Sequence, residues 1–555
     1  AAWCVLEREE FAEAILDAGK EECQAAAPLL RVGAPWKESA HGSSSWEGES
    51  PFLRWRFRPG EEMLGKQRAC CGSGGRVGGP GSRLSRKPPG PRLLRVPKCR
   101  YLPPLRPWLR VRTASRPVHP LPQRGRAVMP SFVVEGGHPL RGSIRPAGNK
   151  NGALPALAAT LLSAEPVVLE NVPRIRDVET LMSIIETLGA QVEWEGPDTV
   201  RVDAGGVTGG CPDPEMAKKI RASILLAGPL LARFGWVTLG PPGGDVIGRR
   251  RLDTHFLALE ALGGEKRLDH GFEIRTSGLR GADMFLDEPS VTGTENAVMA
   301  AVLARGRTMI RNAAAEPHVQ DLCNLLNQMG ARIRGIGTHV LEIEGVRDLH
   351  GTRFRLGADH IETGSFMGLA AVTGSEITIL DAPLSHLDST LIGFRRLGVE
   401  CSVEGTSLVV HGDADLVVEN DAFGHIPKVD DGPWPAFPAD LTSIALVTAT
   451  QCRGTVLVHE KMFESRMYFT DKLVGMGAQI ILCDPHRAVV VGPSRLRGGP
   501  LESPDIRAGM AMLIAALGAE GESEIRNIGQ IERGYQHIDT RLQALGARIR
   551  REEAE

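Results

Sequence analysis

The chain runs to 555 residues, 42% hydrophobic and 24% charged, and its 65 Lys and Arg nearly balance 67 Asp and Glu for a net charge of −2. That length holds more than one domain of ordinary size, and the near-neutral total excludes a folded body that binds nucleic acid through bulk positive charge. No uninterrupted apolar run reaches the roughly 18 residues needed to span a bilayer, and no secretory apolar segment opens the chain.

Residues 1–128 differ in kind from the rest. They hold five of the eight Trp and five of the ten Cys, and over 51–128 Lys and Arg are frequent while Glu61 and Glu62 are the acidic residues. Pro and Gly clusters such as Lys87-Pro88-Pro89-Gly90-Pro91 interrupt any helical or strand period, and only 7–27 reads as helix-like. The neutral total therefore hides a basic leader joined to an acidic body. Such a stretch can bind nucleic acid or anionic membrane, or act as an organelle transit peptide. The favoured expectation is a disordered basic segment translated ahead of the native start, because Met129-Pro130-Ser131-Phe132 opens a clean strand pattern. A chain begun at Met129 is expected to keep its melting temperature and activity.

From Ser131 onward the pattern is globular α/β. Six times an apolar helical stretch runs into a hydrophobic residue, then Gly, usually Ala, then an alternating run. The copies are Leu188-Gly189-Ala190, Leu262-Gly263-Gly264, Met329-Gly330-Ala331, Leu397-Gly398-Val399, Met476-Gly477-Ala478 and Leu545-Gly546-Ala547. Successive glycines lie 74, 67, 68, 79 and 69 residues apart, longer than the roughly 20 to 50 of common solenoid repeats. Each unit is therefore a small α/β module, and six of them predict pseudo-symmetry. The Gly predicts a helix C-terminus in the left-handed conformation, least costly without a Cβ. The runs that follow, such as 191–195 and 199–203, alternate as strands do.

The repeat also serves as a ruler. Counting back 11 to 13 residues from the glycine, to the expected start of the helix it closes, finds Arg250, Arg466 and Arg533. A cation there opposes the helix dipole by roughly 0.3 to 1 kcal/mol, so its presence needs another cause. Counting back 37 to 42 residues finds Lys150, Arg221, Asp440 and Arg507 near the start of an earlier predicted helix. Symmetric packing would bring up to six helix N-termini and several cations to one region, suited to a multiply charged anion such as phosphate. Surface helices often begin with polar residues, and what favours a site is seven charges in register across four modules.

In this region Cys211, Cys323, Cys401, Cys452 and Cys483 are odd in number and contain no CxxC pair. Neither a disulfide framework nor a zinc site is indicated, and a reducing cytoplasm is the expected location. The chain has no P-loop, no HExxH and no GxSxG, and Gly205-Gly206 and Gly209-Gly210 read as loop glycines.

Several motifs stand in a definite order: Gly148-Asn149-Lys150-Asn151-Gly152-Ala153-Leu154-Pro155, Ile220-Arg221-Ala222-Ser223, Pro242-Gly243-Gly244-Asp245-Val246-Ile247-Gly248, Phe437-Pro438-Ala439-Asp440, Phe463-Glu464-Ser465-Arg466, Asp505-Ile506-Arg507-Ala508 and Ile531-Glu532-Arg533-Gly534-Tyr535. On these residues the chain from Phe132 onward resembles the UDP-N-acetylglucosamine 1-carboxyvinyltransferases, a family of enolpyruvyl transferases. The resemblance implies a two-domain fold of six βαβαββ modules, three to a domain, with the active site in the cleft between. One domain would comprise 129–149 plus 359–555 and the other 150–358, which agrees with three glycine phrases in each.

The resemblance also implies a reaction, transfer of the enolpyruvyl group of phosphoenolpyruvate to the 3-hydroxyl of UDP-N-acetylglucosamine with release of phosphate. Addition followed by elimination needs a base at the hydroxyl, an acid at C3 of phosphoenolpyruvate and cations for phosphate and carboxylate, with no metal or organic cofactor. By similarity, Asp440 would take the hydroxyl proton, and Lys150, Arg250 and Arg533 would hold the phosphate. Arg466 and Arg507 would hold the carboxylate end, braced by Asp505. Asn151, Arg221 and Met462 would line the nucleotide-sugar site, with Leu252, Asp253 and Thr254 and with Ser290, Val291, Thr292 and Gly293 near the uridine and diphosphate.

Asp245 stands in the loop position where Cys is usual in this family, and it is the expected acid at C3. A carboxyl donates that proton only with a raised pKa, which neighbouring cations oppose. His360 follows Asp359 where Arg is frequent and is expected to have no catalytic role. Two other readings stay open: the shikimate-pathway enolpyruvyl transferase, and a non-catalytic paralogue that binds a nucleotide sugar.

Overall fold

All six glycines of the repeated phrase have positive φ, from 81° to 107°. Each donates its N–H to the carbonyl three residues back, from Gly189 to Glu186 at 2.9 Å through Gly546 to Gln543 at 2.9 Å. The chain leaves each turn directly into a strand: Gln191–Trp194, Glu265–Leu268, Arg332–Arg334, Cys401–Glu404, Gln479–Asp484 and Arg548–Glu552. The computed structural model describes residues 130–244 and 247–553, all within one compact unit, Ser115–Glu555. The leader, with the helix-like stretch 7–27, and Asp245 lie outside the described residues.

The described strands form six sheets, five of four strands and one of three. Every four-stranded sheet has two antiparallel pairings and one parallel pairing at an edge. The three-stranded sheet, Trp236–Leu239 with Phe272–Arg275 and Glu265–Leu268, is wholly antiparallel. Three strands pair far along the chain. Ser131–Glu135 lies between Glu522–Arg526 and Arg548–Glu552, Arg141–Ile144 runs parallel to Glu376–Ile379, and Arg353–Arg355 runs parallel to Val167–Glu170. Buried apolar side chains accordingly form two cores, one drawn from residues 153–356 and one from 132–144 together with 361–549.

Each core is centred on helices buried around nearly their whole circumference: Lys150–Ala159 and Val291–Ala301 in the first, His360–Val372, Thr442–Ala449 and Ile506–Gly518 in the second. Their sequences carry almost no charge beyond the first turn, as a helix without a solvent face requires. Small residues let them approach closely. A Cβ at Gly368 would come within 2.4 Å of Ile444 Cγ2, and one at Gly364 within 2.5 Å of Leu441 Cδ1. By contrast Arg176–Thr187 and Pro317–Gln328 bury one face only.

The ruler is only partly accurate for the arginines. Arg466 opens the 3₁₀ turn Arg466–Phe469, and Arg250 precedes Asp253–Ala261 by three residues. Arg533 instead ends the 3₁₀ helix Ile528–Arg533, five residues ahead of Ile538–Ala544, so no helix dipole opposes it there. Lys150, Arg221 and Arg507 do fall in the first turns of Lys150–Ala159, Arg221–Leu226 and Ile506–Gly518, and Asp440 lies in Ala439–Leu441 just ahead of Thr442–Ala449. No helix among the described residues is long and apolar enough to cross a membrane.

Candidate active site

Six helix starts, one from each module, open onto a single cavity: Lys150, Arg221, Val291, His360 with Ile361, Asp440, and Ile506 with Arg507 all line it. Four of these starts are capped by short polar side chains. Asn149 Oδ1 accepts from Asn151 N at 2.9 Å, Ser290 Oγ from Gly293 N at 3.3 Å, Asp359 Oδ1 from Ile361 N at 2.8 Å and Asp505 Oδ1 from Arg507 N at 2.8 Å. Capping holds each first turn rigid, and the functional side chain next to it inherits that rigidity.

The cationic wall is organised around two carboxylates. Asp177 Oδ2 lies 2.9 Å from Lys150 Nζ, and Asp177 Oδ1 accepts from Arg533 Nε at 2.8 Å. Asp440 Oδ1 accepts from Arg466 at 2.6 Å, and its Oδ2 from Arg507 at 2.9 and 3.1 Å. Arg507 also donates to Tyr535 Oη at 3.2 Å, and that hydroxyl pairs with Ser365 Oγ at 2.8 Å. Burial favours the neutral form of each acid, but the adjacent cations outweigh it. Asp177 is held below the usual carboxylate range and Asp440 well below it. Burial lowers the Lys150 pKa, which Asp177 partly restores. Arg221 donates to the carbonyls of Arg250 and Arg251 at 3.1 and 3.0 Å, and burial, then Arg250, bring its pKa down to about 10.

Other lining groups are polar, and burial favours their neutral forms. Burial first, and mutual repulsion second, push Glu295 well above the carboxylate range, and burial raises Glu316. His318 and His360 stack with ring centroids 6.3 Å apart, and Trp434 stands edge-on to His360 at 5.9 Å. Burial holds both imidazoles neutral, with pKa values of about 3. The cavity thus combines charged groups with neutral hydrogen-bonding and aromatic surface.

Of the residues singled out from sequence, Lys150, Asn151, Arg221, Arg250, Val291, Thr292, Asp440, Met462, Arg466, Asp505, Arg507 and Arg533 line this cavity. Leu252, Asp253, Thr254, Ser290 and Gly293 do not. Asp253 pairs with Arg251 at 3.1 Å, Thr254 donates to Asp287 at 2.7 Å, and Ser290 is spent on its cap. Ile247, beside the undescribed Asp245, lines the cavity, and its carbonyl accepts from Ser465 N at 3.2 Å.

Sequence reasoning missed Asp177, Glu295, Glu316, His318 and Trp434, and gave His360 no place in the site. The ruler held the signal for three polar residues. Asp177, His318 and His386 each stand 12 residues before their glycines, in register with the arginines, and His386 abuts Trp434 at 6.0 Å. Searching only for cations passed over them.

The family model described as EPSP synthase (3-phosphoshikimate 1-carboxyvinyltransferase) matches residues 134–542. A UDP-N-acetylglucosamine 1-carboxyvinyltransferase of Bradyrhizobium diazoefficiens is 60% identical over 420 residues, 76% of this chain and 97% of that protein. One of Treponema denticola is 55% identical over 421 residues, 76% of this chain and 99% of that protein. Among solved structures, the enolpyruvyl transferase NikO from Streptomyces tendae shares the fold with a TM-score of 0.68 at 23% identity, over 77% of this chain and all of that one. Sequence, six-module fold and cavity agree, and the chain belongs to the enolpyruvyl transferase family, among the UDP-N-acetylglucosamine 1-carboxyvinyltransferases.

Proposed function

We propose that this enzyme transfers the enolpyruvyl group of phosphoenolpyruvate to the 3-hydroxyl of UDP-N-acetylglucosamine and releases phosphate. The observation that carries the reading is the pairing of Asp177 and Asp440 with four cations that line one cavity. Phosphate at Lys150, Arg250 and Arg533, and carboxylate at Arg466 and Arg507, would compete with those two acids. As long as both arginines hold it, Asp440 is too weak a base to take a hydroxyl proton. Substrate carboxylate drawing Arg466 and Arg507 away would raise its basicity when the sugar hydroxyl is in place. The neutral His318 imidazole and the Trp434 ring suit the uncharged sugar.

The two cores support a division into domains 129–149 plus 359–555 and 150–358. This transfer is the first committed step of peptidoglycan synthesis, and the reading extends with it to cell-wall biogenesis, cell shape, the cell cycle and division, in the cytoplasm. Asp245 is proposed as the acid at C3. A carboxylate is a poorer nucleophile than thiolate toward the epoxide of fosfomycin, so the enzyme should resist that drug, and Asp245→Cys should become sensitive. A drug adduct on the wild-type peptide carrying Asp245 would remove that residue from the role.

Phosphate release measured with phosphoenolpyruvate plus UDP-N-acetylglucosamine, against shikimate 3-phosphate and against neither, tests the whole reading. Release only with the nucleotide sugar is expected. Release with shikimate 3-phosphate instead would favour the other branch of the family, and no release would favour a non-catalytic binder.

A further inference from the structure

Beside Arg466 lies a second pair of acids that the reaction does not use and that do not line the cavity. Strand Lys428–Asp430 runs parallel to Gly454–His459 with Asp430 opposite His459, so the next residues along each strand, Asp431 and Glu460, emerge side by side. Both are buried, Asp431 at 1% exposure and Glu460 at 0%. Asp431 is fixed through one oxygen, which accepts from Lys461 N. The backbone of Glu460 is tied at both ends, its N–H donating to His486 O and its carbonyl meeting His486 Nδ1, each at 2.8 Å.

The remaining polar atoms there form a set. Asp431 Oδ2, both carboxyl oxygens of Glu460, Thr442 Oγ1 and Arg466 Nε are all buried and all without a hydrogen-bond partner. Glu460 is within hydrogen-bonding reach of Asp431 and Thr442 and within electrostatic reach of Arg466, although none of these contacts meets full hydrogen-bond geometry. Buried polar groups are rarely left unmatched, and four residues that lack partners around one point supply complementary donors and acceptors to each other. The other edge of the Arg466 guanidinium already serves the cavity, through Asp440 at 2.6 Å, with Phe463 beneath its plane at 4.7 Å.

We propose that Glu460, in a carboxyl pair with Asp431, is a positioning residue for Arg466, accepting from its Nε edge so that the opposite edge is presented to substrate. Orientation without neutralisation is the advantage. An ionised acid beside Arg466 would compete with the substrate carboxylate for its charge, whereas a protonated Glu460 donates its hydroxyl hydrogen to Asp431 and offers its carbonyl oxygen to Nε. Burial first, and the neighbouring Asp431, favour that neutral form against the opposing pull of Arg466, with the Glu460 pKa pushed up to about 9. Thr442, at the start of the helix that follows Asp440, faces the same pair.

The inference rests on Arg466 as a cation for phosphoenolpyruvate, and the experiment separates the two. Steady-state kinetics are measured with phosphoenolpyruvate varied at saturating UDP-N-acetylglucosamine, for wild type and for Glu460→Ala, Glu460→Gln and Arg466→Lys. Glu460→Ala should raise KM for phosphoenolpyruvate by about tenfold or more with a smaller change in kcat, and leave KM for the nucleotide sugar within about twofold. Glu460→Gln, an uncharged acceptor of the same shape, should bring KM back to within about threefold of wild type. Should Glu460→Ala not fold, Glu460→Met keeps the volume without the acceptor and should show the same rise in KM. An unchanged KM in the Ala or Met variant, or Gln as impaired as Ala, would overturn the proposal. An Arg466→Lys variant with normal KM for phosphoenolpyruvate would instead overturn the role given to Arg466.

Discussion

Asp177 and Asp440 each stand between two cations, and their removal and the removal of their partners should differ in kind. Replacing Lys150 or Arg533 by Ala should cost about 2–4 kcal/mol in kcat/KM for phosphoenolpyruvate, the range for loss of one preorganised charge. The fold should persist, because Asp177 keeps its second partner in either variant; near-normal turnover would remove these residues from the phosphate site. Asp440→Asn should lower kcat by about 10²–10⁴ while leaving KM for phosphoenolpyruvate unchanged or lower, since a competitor for Arg466 and Arg507 is gone. A raised KM with intact kcat would mean that Asp440 binds and does not take the proton.

Stability should follow the same residue. The folded-state pKa of Asp440 is depressed, so its ion pairs contribute above the unfolded carboxylate pKa, and the contribution fades as pH falls through the folded value. Wild type should therefore exceed Asp440→Asn by about 2 kcal/mol at neutral pH, below the full cost of breaking a buried pair because the arginines face a cavity. The gap should narrow as the solution is acidified below pH ~4. Urea unfolding of both proteins from pH 7 downward checks the sign; a gap that widens toward low pH would contradict the pairing.

At the scale of elements, the site depends on how its helices begin. Asp505 caps Ile506–Gly518 through Arg507 N and Ala508 N at 2.8 and 2.9 Å, and its charge also acts on Arg466. Asp505→Ala should lower stability by about 1 kcal/mol, the worth of an N-cap. Asn caps as well as Asp, so Asp505→Asn should recover the melting temperature without fully recovering kcat/KM for phosphoenolpyruvate. Full recovery of both would make the residue a cap and nothing more. The helices themselves were legible beforehand, through positive-φ glycines at one end and polar residues at the other.

At the scale of the whole molecule, residues of the two cores meet across the cavity. Arg533 binds Asp177 at 2.8 Å, Arg174 N donates to Gln536 at 3.0 Å and Arg249 N to Glu464 at 3.0 Å. These joints are polar, the kind that opens at small cost. Small-angle scattering should give a radius of gyration matching this arrangement with UDP-N-acetylglucosamine bound and a larger one without it. Equal radii would mean that the site is assembled before the substrate arrives.

The six modules, their glycine turns and most of the cations that line the cavity were determined by sequence alone. The rules involved are local: a left-handed turn needs Gly, a cap needs Asn, Ser or Asp, and a buried helix needs an uncharged stretch. Only the tertiary structure decided which acids hold the cations, that neutral His318 and His360 and the Trp434 ring line the cavity, and that Glu460 meets Asp431 beside Arg466. Those facts depend on distances between residues far apart in the chain, 356 positions in the case of Arg533 and Asp177. They depend equally on burial, which sets whether a carboxyl or an imidazole keeps its charge and which no short stretch of residues encodes.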